Sequence, residues 1–351
     1  MGVKNLSQIL KGQNIDIKEP IPLPKLANRT LGIDGFNQLF QFMSSIRDVS
    51  GGSMVDSDGR ITSHLIGLLT RNCVLLQYGI EPIYVFDGKS HPLKTKEKER
   101  RREVTKVAEA EYKKALAEGD MIKARSFGSR VNKLTPEMLD DSKRLLDYLG
   151  IPWLNAPGEG EAQAAQMVIE GKVWATASQD YDTMLFGAPT MVRNLNITGK
   201  RNLPGGKVIT IQPEKIELFK LLDTLKLTQD QLIDLGILLG TDFNPDGFTK
   251  IGPITGYKLI QKYGSFEEVK KNKQIVKDTE IPYEEIRDIF LKPNVNKNLT
   301  IDKSKKFDKD KILEFLVEER SFSRDRYINI IDKTVREMEI NKSQTSLDDW
   351  F

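Results

Sequence analysis

The chain has one cysteine, two histidines and no long apolar run, and each shortage narrows what the protein can be. Cys73 lies in the apolar stretch HLIGLLTRNCVLLQYG, so no disulfide framework exists and a core thiol in a reducing compartment is expected. His64 falls in the same helical stretch and His91 precedes a proline, and both read as structural. No apolar stretch reaches the length of a membrane span, and the first residues lack the apolar core of a signal peptide. Met1-Gly2 opens a myristoylation pattern that fails at Leu6. No membrane association is therefore expected, and the location expected is the cytoplasm. A large excess of one charge is missing too. The 53 basic and 50 acidic residues leave a net charge of +3, too mild to announce nucleic acid. Any basic surface must be local and offset by acids elsewhere. At 351 residues the chain can bury a large core in one or two domains.

What is present is acid in unusual places. Residues 156–182 (APGEGEAQAAQMVIEGKVWATASQDYD) carry two i,i+2 acid pairs, Glu159/Glu161 and Asp180/Asp182, at the two ends of a helix-plus-strand unit. The helix follows Pro157-Gly158, carries Ala162, Ala165, Met167, Val168 and Ile169, and ends at Gly171; residues 173–177 read as a buried strand. If that strand is parallel to its neighbours, Asp180 and Asp182 sit just past its C-terminal end, where open α/β sheets place ligands. The helix start bearing Glu159 and Glu161 then has to face the same rim. Four acids at one spot repel unless they are protonated or share cations, and an all-oxygen set suits Mg²⁺ or Mn²⁺.

Other acids follow the same habit. Residues 30–33 form a short apolar strand ending on Asp34, and residues 82–86 form another ending on Asp87, so three strand ends carry acid. Turn initiation by Asp is the bland account of this. Between them, FNQLFQFMSSIRD reads as an amphipathic helix and residues 62–78 as an apolar one. Residues 89–133 change character: KSHPLKTKEKERRREVTK is strongly basic, and an Ala/Glu/Lys-rich helix follows. A segment polar all round is not a buried element, and it reads as a mobile or bridging flap that offers Lys and Arg to a phosphate. The alternative is a solvated helix laced with i,i+4 pairs.

Residues 135–149 read as an amphipathic helix leading to the strand IPWLN, and residues 191–195 and 207–211 as continuing a sheet. Residues 228–239 form a strongly apolar helix closed by Gly240-Thr241-Asp242. The turn Ile251-Gly252-Pro253 before the next helix exposes N–H groups to an anion, with Lys250, Lys258 and Lys262 near it. That arrangement is a helix–turn–helix clamp that grips a DNA backbone without reading bases. Past Pro293 the chain is Asn/Lys-rich and then helical over 309–338. The tail NKSQTSLDDWF spaces Leu347, Trp350 and Phe351, with Gln344 upstream, as one helical turn that anchors in a partner's pocket.

Taken in order, MGVKNLSQIL, LGIDGFNQLFQF, YVFDGK, APGEGEA, SQDYD, LGTDF and KIGPITGYKLI resemble the flap endonucleases, structure-specific 5′ nucleases of the XPG group, over nearly the whole chain. The terminal QTSLDDWF is similar to that group's clamp-binding box, and an ending there resembles the archaeal members. The resemblance implies an α/β fold: a central twisted, mostly parallel sheet flanked by helices, a mobile helical arch and a helix-two-turn-helix DNA-binding motif. The ranges it implies are 1–107 for an N-terminal nuclease region, with an arch at 89–133. An internal nuclease region at 134–266 holds the helix-two-turn-helix at 236–266, C-terminal helices occupy 267–340, and the tail is 341–351.

By the same resemblance Asp34, Asp87, Glu159, Glu161, Asp180, Asp182 and Asp242 match seven active-site carboxylates. Asp87, Glu159 and Glu161, helped by Asp34, would hold one Mg²⁺; Asp180 and Asp182 would hold a second, with Asp242 acting mostly through water. Mn²⁺ is the expected substitute. Lys94 and Arg101 match basic arch residues that meet the scissile phosphate, with Arg100 and Arg102 adjacent. Phe40 matches an aromatic that stacks on an unpaired nucleotide, and Arg47, Thr62 and Arg71 fall on a pocket for a one-nucleotide 3′ flap. Phe248 and Ile251 are the candidates for carbonyl ligation of K⁺. Where the group reads Gly-Ile-Gly-Pro and then a basic residue, this chain reads Lys250-Ile251-Gly252-Pro253-Ile254, so one positive charge moves from after the turn to before it.

The activity implied is cleavage of 5′-flapped, branched DNA by two-metal hydrolysis, with 5′–3′ exonuclease activity, in Okazaki-fragment maturation and repair. The partners implied are that DNA and the sliding clamp (PCNA), bound through Gln344, Leu347, Trp350 and Phe351 by an otherwise monomeric, nucleoid-associated protein. Two other classes compete. A catalytically silent DNA scaffold would be expected to lack one of the acids, and a Mg²⁺-dependent phosphatase for small molecules leaves the basic arch and the Gly-Pro clamp without a purpose.

Overall fold

The computed structural model describes the backbone of residues 6–12, 16–131, 133–195, 199–202, 208–277 and 281–348. The architecture is α/β, with a mixed seven-stranded sheet and many helices. The chain divides into two compact units, each built from separated stretches of sequence.

The first unit comprises residues 1–22, 85–99 and 155–299. Its strands run in the order Glu19–Pro20, Glu214–Glu217, Thr190–Arg193, Ala175–Ala177. Ala175–Ala177 pairs parallel with Thr190–Arg193, Thr176 facing Met191, and the outer pairings are antiparallel. The strand expected at 173–177 is thus only Ala175–Ala177 long, because Gly171 at φ 68° closes the preceding helix in a turn that uses up the next residues. All three residues of this strand are buried, and the acids Asp180 and Asp182 follow at its C-terminal end.

Helices Gly160–Ile169, Leu218–Leu225, Gln229–Leu239, Pro253–Tyr263 and Tyr283–Leu291 bury one continuous core, in which Leu221, Leu232, Ile237, Ile260 and Ile286 are wholly enclosed. The Gln229–Leu239 helix starts with a capping box: Thr228 accepts the Gln231 N–H and the Gln231 side chain accepts the Thr228 N–H. One expectation is corrected here. Residues 208–211 do not extend the main sheet; Val208–Ile211 pairs antiparallel with Gly199–Asn202 as a separate two-stranded ribbon. The strand taking the expected place is Glu214–Glu217, whose charged sequence EKIE hid it.

The second unit comprises residues 23–84, 100–154 and 300–351. Strand Thr30–Asp34 leads into helix Gly35–Ser45, with Asp34 as N-cap accepting the Asn37 N–H at 3.0 Å. Helix Ser63–Gln77 buries His64 and Cys73, and burial pushes the Cys73 thiol up to about 11. His64 is fully buried with neither ring nitrogen hydrogen-bonded; burial, with the Arg320 charge, pushes it down to about 3, so it is a neutral core residue. Arg320 lies against Asp141 through two hydrogen bonds of 2.9 and 2.7 Å, next to the π-helical turn Glu314–Glu319.

The polar segment expected as a flap forms helices Thr95–Ala117 and Met121–Gly128. Most of its side chains are exposed, and Glu109 pairs with Lys113 at 2.8 Å in i,i+4 register. Its far end is nonetheless tied down, contrary to the reading of a segment with no buried face. Ala108, Ala115 and Ala124 are buried, Arg125 Nε donates to the Val49 carbonyl at 2.8 Å, and Tyr112 meets Ser50 at 3.3 Å. Small alanines supply a burial face that a search for large apolar residues does not see. Among the described residues, no helix is long and apolar enough to cross a membrane.

Candidate active site

Six of the seven expected carboxylates lie in the first unit, and local backbone geometry explains how each is held. Strand Glu81–Phe86 delivers Asp87, whose Oδ1 accepts the Gly160 N–H at 2.6 Å. This ties one acid to the helix start that carries two more, Glu159 as N-cap and Glu161 in the first turn. Gly160 has to be glycine: a Cβ there would stand 2.8 Å from Asp87 Oδ1 and 3.2 Å from the Val85 carbonyl. Backbone bonds from Gly88 N to Gly158 O (2.7 Å) and Ala156 N to Phe86 O (2.8 Å) hold the two segments in register.

Across the helix, Ser178 Oγ donates to Glu161 Oε1 at 3.0 Å and accepts the Asp180 N–H at 3.1 Å. Arg193 clamps the same turn: Nε donates to the Gln179 carbonyl at 3.1 Å, and the guanidinium lies over the Tyr181 ring at 4.8 Å. Asp182 starts a short helix and is buried. The sixth acid, Asp242, sits in the loop after Gln229–Leu239. Asn244 Oδ1 accepts from both Thr241 N (3.1 Å) and Thr241 Oγ1 (2.7 Å), and its Nδ2 donates to Ile237 O at 2.7 Å. Gly247, at φ 57°, closes that loop where a Cβ would come within 2.6 Å of the Leu239 carbonyl.

The Lys94 ammonium lies among these acids. It is hydrogen-bonded to Glu159, stands 3.7 Å from Asp242 Oδ2 and lies 5.0 Å from the centre of the Phe243 ring. Burial pulls its pKa down, but Glu159 and Asp242 more than offset that and hold it above the ordinary lysine value. Burial pushes Glu159 above the ordinary carboxylate range; Lys94 draws it back, and Asp87 and Asp242 push it up. Asp182 is raised chiefly by burial, then by Asp242 and Asp180, with Lys94 opposing. So the acids feel one another, and one ammonium does not neutralise them. Two unit charges about 4 Å apart interact by roughly 4 kcal/mol at an effective dielectric near 20, so an uncompensated cluster is expensive.

The donor set is all carboxylate oxygen, exposed at Asp87 and partly or wholly buried at the other acids, and it fits a hard divalent cation. Among the described residues no three such side chains are already closed into a metal cage; Lys94 stands between Glu159 and Asp242 instead.

Two relatives match this chain from end to end. Flap endonuclease 1 of Caldivirga maquilingensis is 44% identical over all of both chains. That of Staphylothermus marinus is 44% identical over 96% of this chain and 99% of its own. The chain belongs to the flap endonuclease 1 family. The XPG N-terminal domain matches residues 1–108 and the XPG I-region matches residues 150–242. The solved structure of flap endonuclease-1 from Methanococcus jannaschii superposes with a TM-score of 0.72 at 37% identity, covering 96% of this chain and 99% of that one. This flap endonuclease is accordingly a structure-specific nuclease that hydrolyses DNA phosphodiester bonds in replication and repair.

The remaining expected residues of this flap endonuclease fall in two groups. In the first unit, Lys250, Lys258 and Lys262 are exposed around the Pro253–Tyr263 helix. A Cβ at Gly252 would meet nothing, so the turn is open to an anion, whereas one at Gly256 would press within 3.0 Å of Leu239; Gly256 serves helix packing. Phe248 and Ile251 are buried, and Ile251 N donates to the Phe248 carbonyl at 3.0 Å. In the second unit, Asp34 caps its helix, Phe40 is exposed, and Arg101 is exposed on Thr95–Ala117. Arg47 donates to Ser53 and to the Val131 carbonyl, Thr62 is buried, and Arg71 is half-buried. Gln344 and Leu347 fall within helix Arg324–Asp348, which runs on into the expected tail; Trp350 and Phe351 lie outside the described residues.

Ser178, Arg193, Asn244 and Phe243 were missed from sequence. Each acts through a neighbour distant in the chain or by closing a loop; for Ser178, Phe243 and Asn244 the available signal was nearness to Asp180 or Asp242, and Arg193 had none.

Proposed function

We propose that this flap endonuclease cleaves 5′-flapped DNA at the acid ring with two divalent cations. Asp87, Glu159 and Glu161, helped by Asp34, hold one Mg²⁺; Asp180 and Asp182 hold the other, with Asp242 acting through water; Mn²⁺ substitutes. When bound, such a pair activates a water for attack on the phosphodiester and steadies the leaving 3′ oxygen. The chain's own part is to collect and hold the acids, through Gly160, Ser178 and the Asn244 loop, and to supply positive charge to the scissile phosphate from Lys94 and Arg101. The observation that carries this reading is Lys94, a partly buried ammonium shared between Glu159 and Asp242 within a ring of acids it cannot balance.

Phe40 stacks on an unpaired nucleotide, and Arg47, Thr62 and Arg71 receive a one-nucleotide 3′ flap. Lys250, Gly252, Lys258 and Lys262 hold the duplex backbone, with K⁺ at the Phe248 and Ile251 carbonyls. Gln344, Leu347, Trp350 and Phe351 dock on the sliding clamp, and the protein is otherwise a monomer. Selection for branched DNA comes from bending at the junction and passage of the 5′ strand under the 89–133 arch. The test is a labelled 5′-flap duplex with Mg²⁺: cleavage at the junction is expected, lost with EDTA and in Asp180→Ala. Cleavage confined to plain single strands, or unaffected by Asp180→Ala, overturns the reading.

A further inference from the structure

We infer that Phe243 is a positioning residue for Lys94, holding its ammonium at the acid ring by the face of an aromatic ring. The inference rests on the proposed role of Lys94 at the scissile phosphate. The Lys94 Nζ lies 5.0 Å from the Phe243 ring centre, and the Lys94 side chain is only 17% exposed, so the contact is largely desolvated. An ammonium so placed is attracted by the ring quadrupole most strongly where water is excluded.

The ring itself is built in. Phe290 meets it edge-on at 5.5 Å and 83°, Phe186 packs on Phe290 at 4.9 Å, and the His91 ring meets Phe243 at 6.0 Å and 84°. His91 and Lys94 are the two ends of one short turn, which His91 caps by accepting the Leu93 N–H at 3.3 Å. That turn therefore grips the Phe243 ring at both ends. Phe243 in turn directly follows Asp242 in the chain, so the ring couples the Lys94 turn to the backbone carrying one of the acids. An open cavity of about 590 Å³, lined by His91, Glu159, Phe186 and Phe243 among others, lies beside this cluster.

The chemistry explains why a ring is useful there. Glu159 and Asp242 hold Lys94 by charge, and any cation that claims those carboxylates weakens that hold. The ring face carries no formal charge and does not compete for the same cations as a ligand, so it keeps the ammonium in place when the acids are engaged. An aliphatic side chain of similar bulk fills the space without this attraction.

The experiment replaces Phe243 with 4-fluoro-, 3,5-difluoro- and 3,4,5-trifluorophenylalanine. The series is nearly isosteric and drains the ring face of negative potential in steps. Single-turnover cleavage of a 5′-flap duplex at saturating Mg²⁺, the flap Kd and the thermal midpoint are measured in wild-type and Lys94→Ala backgrounds. The expected result is a stepwise fall in the cleavage rate, in total roughly three- to thirty-fold, with Kd and thermal midpoint unmoved. In Lys94→Ala the series is flat at an already lowered rate. A trifluoro protein as fast as wild type, where Lys94→Ala is slow, overturns the role of Phe243 and leaves that of Lys94. A Lys94→Ala protein as fast as wild type overturns the reading of Lys94 and this inference with it.

Discussion

Glu161 and Asp180 share one hydroxyl: Ser178 Oγ donates to the carboxylate of the first at 3.0 Å and accepts the backbone N–H of the second at 3.1 Å. The two acid pairs, one at a helix start and one past a strand end, are thereby fixed in register by a residue that bears no charge. Ser178 is buried, so neither bond is exchanged for bulk water.

Ser178→Ala is expected to impair metal use as well as stability. Losing the bond to the Glu161 carboxylate costs about 1.5–3 kcal/mol and the bond from the Asp180 N–H about 1 kcal/mol, and loosening the partners of metal-binding groups costs on the order of ten-fold or more in metal affinity. The check is Mg²⁺ titration of flap cleavage beside a thermal melt. The half-saturating Mg²⁺ should rise about ten-fold, with rate largely restored at high Mg²⁺ and in Ser178→Thr. An unchanged Mg²⁺ requirement excludes the bridging role.

Lys258 and Lys262 are exposed beside a turn whose Gly252 leaves the helix N-terminus open. If they meet phosphates, Lys258→Ala and Lys262→Ala should weaken flap binding equally on unrelated sequences. The slope of log K against log salt should shrink by about 0.9 for each phosphate left without its lysine. Kd measured at several salt concentrations on two sequences decides it. Sequence-selective weakening, or an unaltered slope, removes the lysines from the DNA-binding surface.

Removing residues 344–351 takes away Gln344, Leu347, Trp350 and Phe351 together. The truncated protein is expected to cleave flaps at the full-length rate without the clamp and to lose clamp binding by more than a hundred-fold, about 2.7 kcal/mol or more. Surface-plasmon measurement on immobilised clamp, paired with a clamp-free cleavage assay, separates the two. Equal clamp affinity after truncation refutes the docking role of the tail.

How much of this was legible in the sequence differs by residue. Asp34 and Asp87 were visible because a buried strand that stops on an acid breaks its own apolar pattern, and both stand at strand ends as read. The ribbon at Val208–Ile211 was misplaced because alternation marks a strand without naming its partner. Glu214–Glu217 was overlooked because a charged sequence does not look like sheet, although only Ile216 faces the core. Phe243 was not singled out in the sequence: that an ammonium lies over its ring follows from the turn carrying Lys94, 149 residues earlier, and no local pattern encodes that distance.

The acid ring also sets the pH response of the metal-free protein. Glu159 and Asp182 are carboxyls raised in the folded state, by burial first and by neighbouring acids next. A raised acid binds its proton more tightly when folded than when unfolded. Its stabilising contribution is therefore complete below the ordinary carboxylate pKa and is lost as pH climbs through the raised folded value. The window runs from the ordinary carboxylate range up towards neutrality. In EDTA, Asp182→Asn, which cannot ionise, should thus melt higher than wild type at about pH 7.5, and the gap should narrow at about pH 5 as wild type takes up its proton. Saturating Mg²⁺ should reverse the order, because wild type gains the stabilisation of a ligand bound only to the folded state and the amide variant gains less. Thermal melts of both proteins across this range, with EDTA or Mg²⁺, give the four curves. If Asp182→Asn melts below wild type in EDTA at about pH 7.5, the repulsion assigned to these acids is wrong, and the argument that Lys94 leaves them unbalanced goes with it.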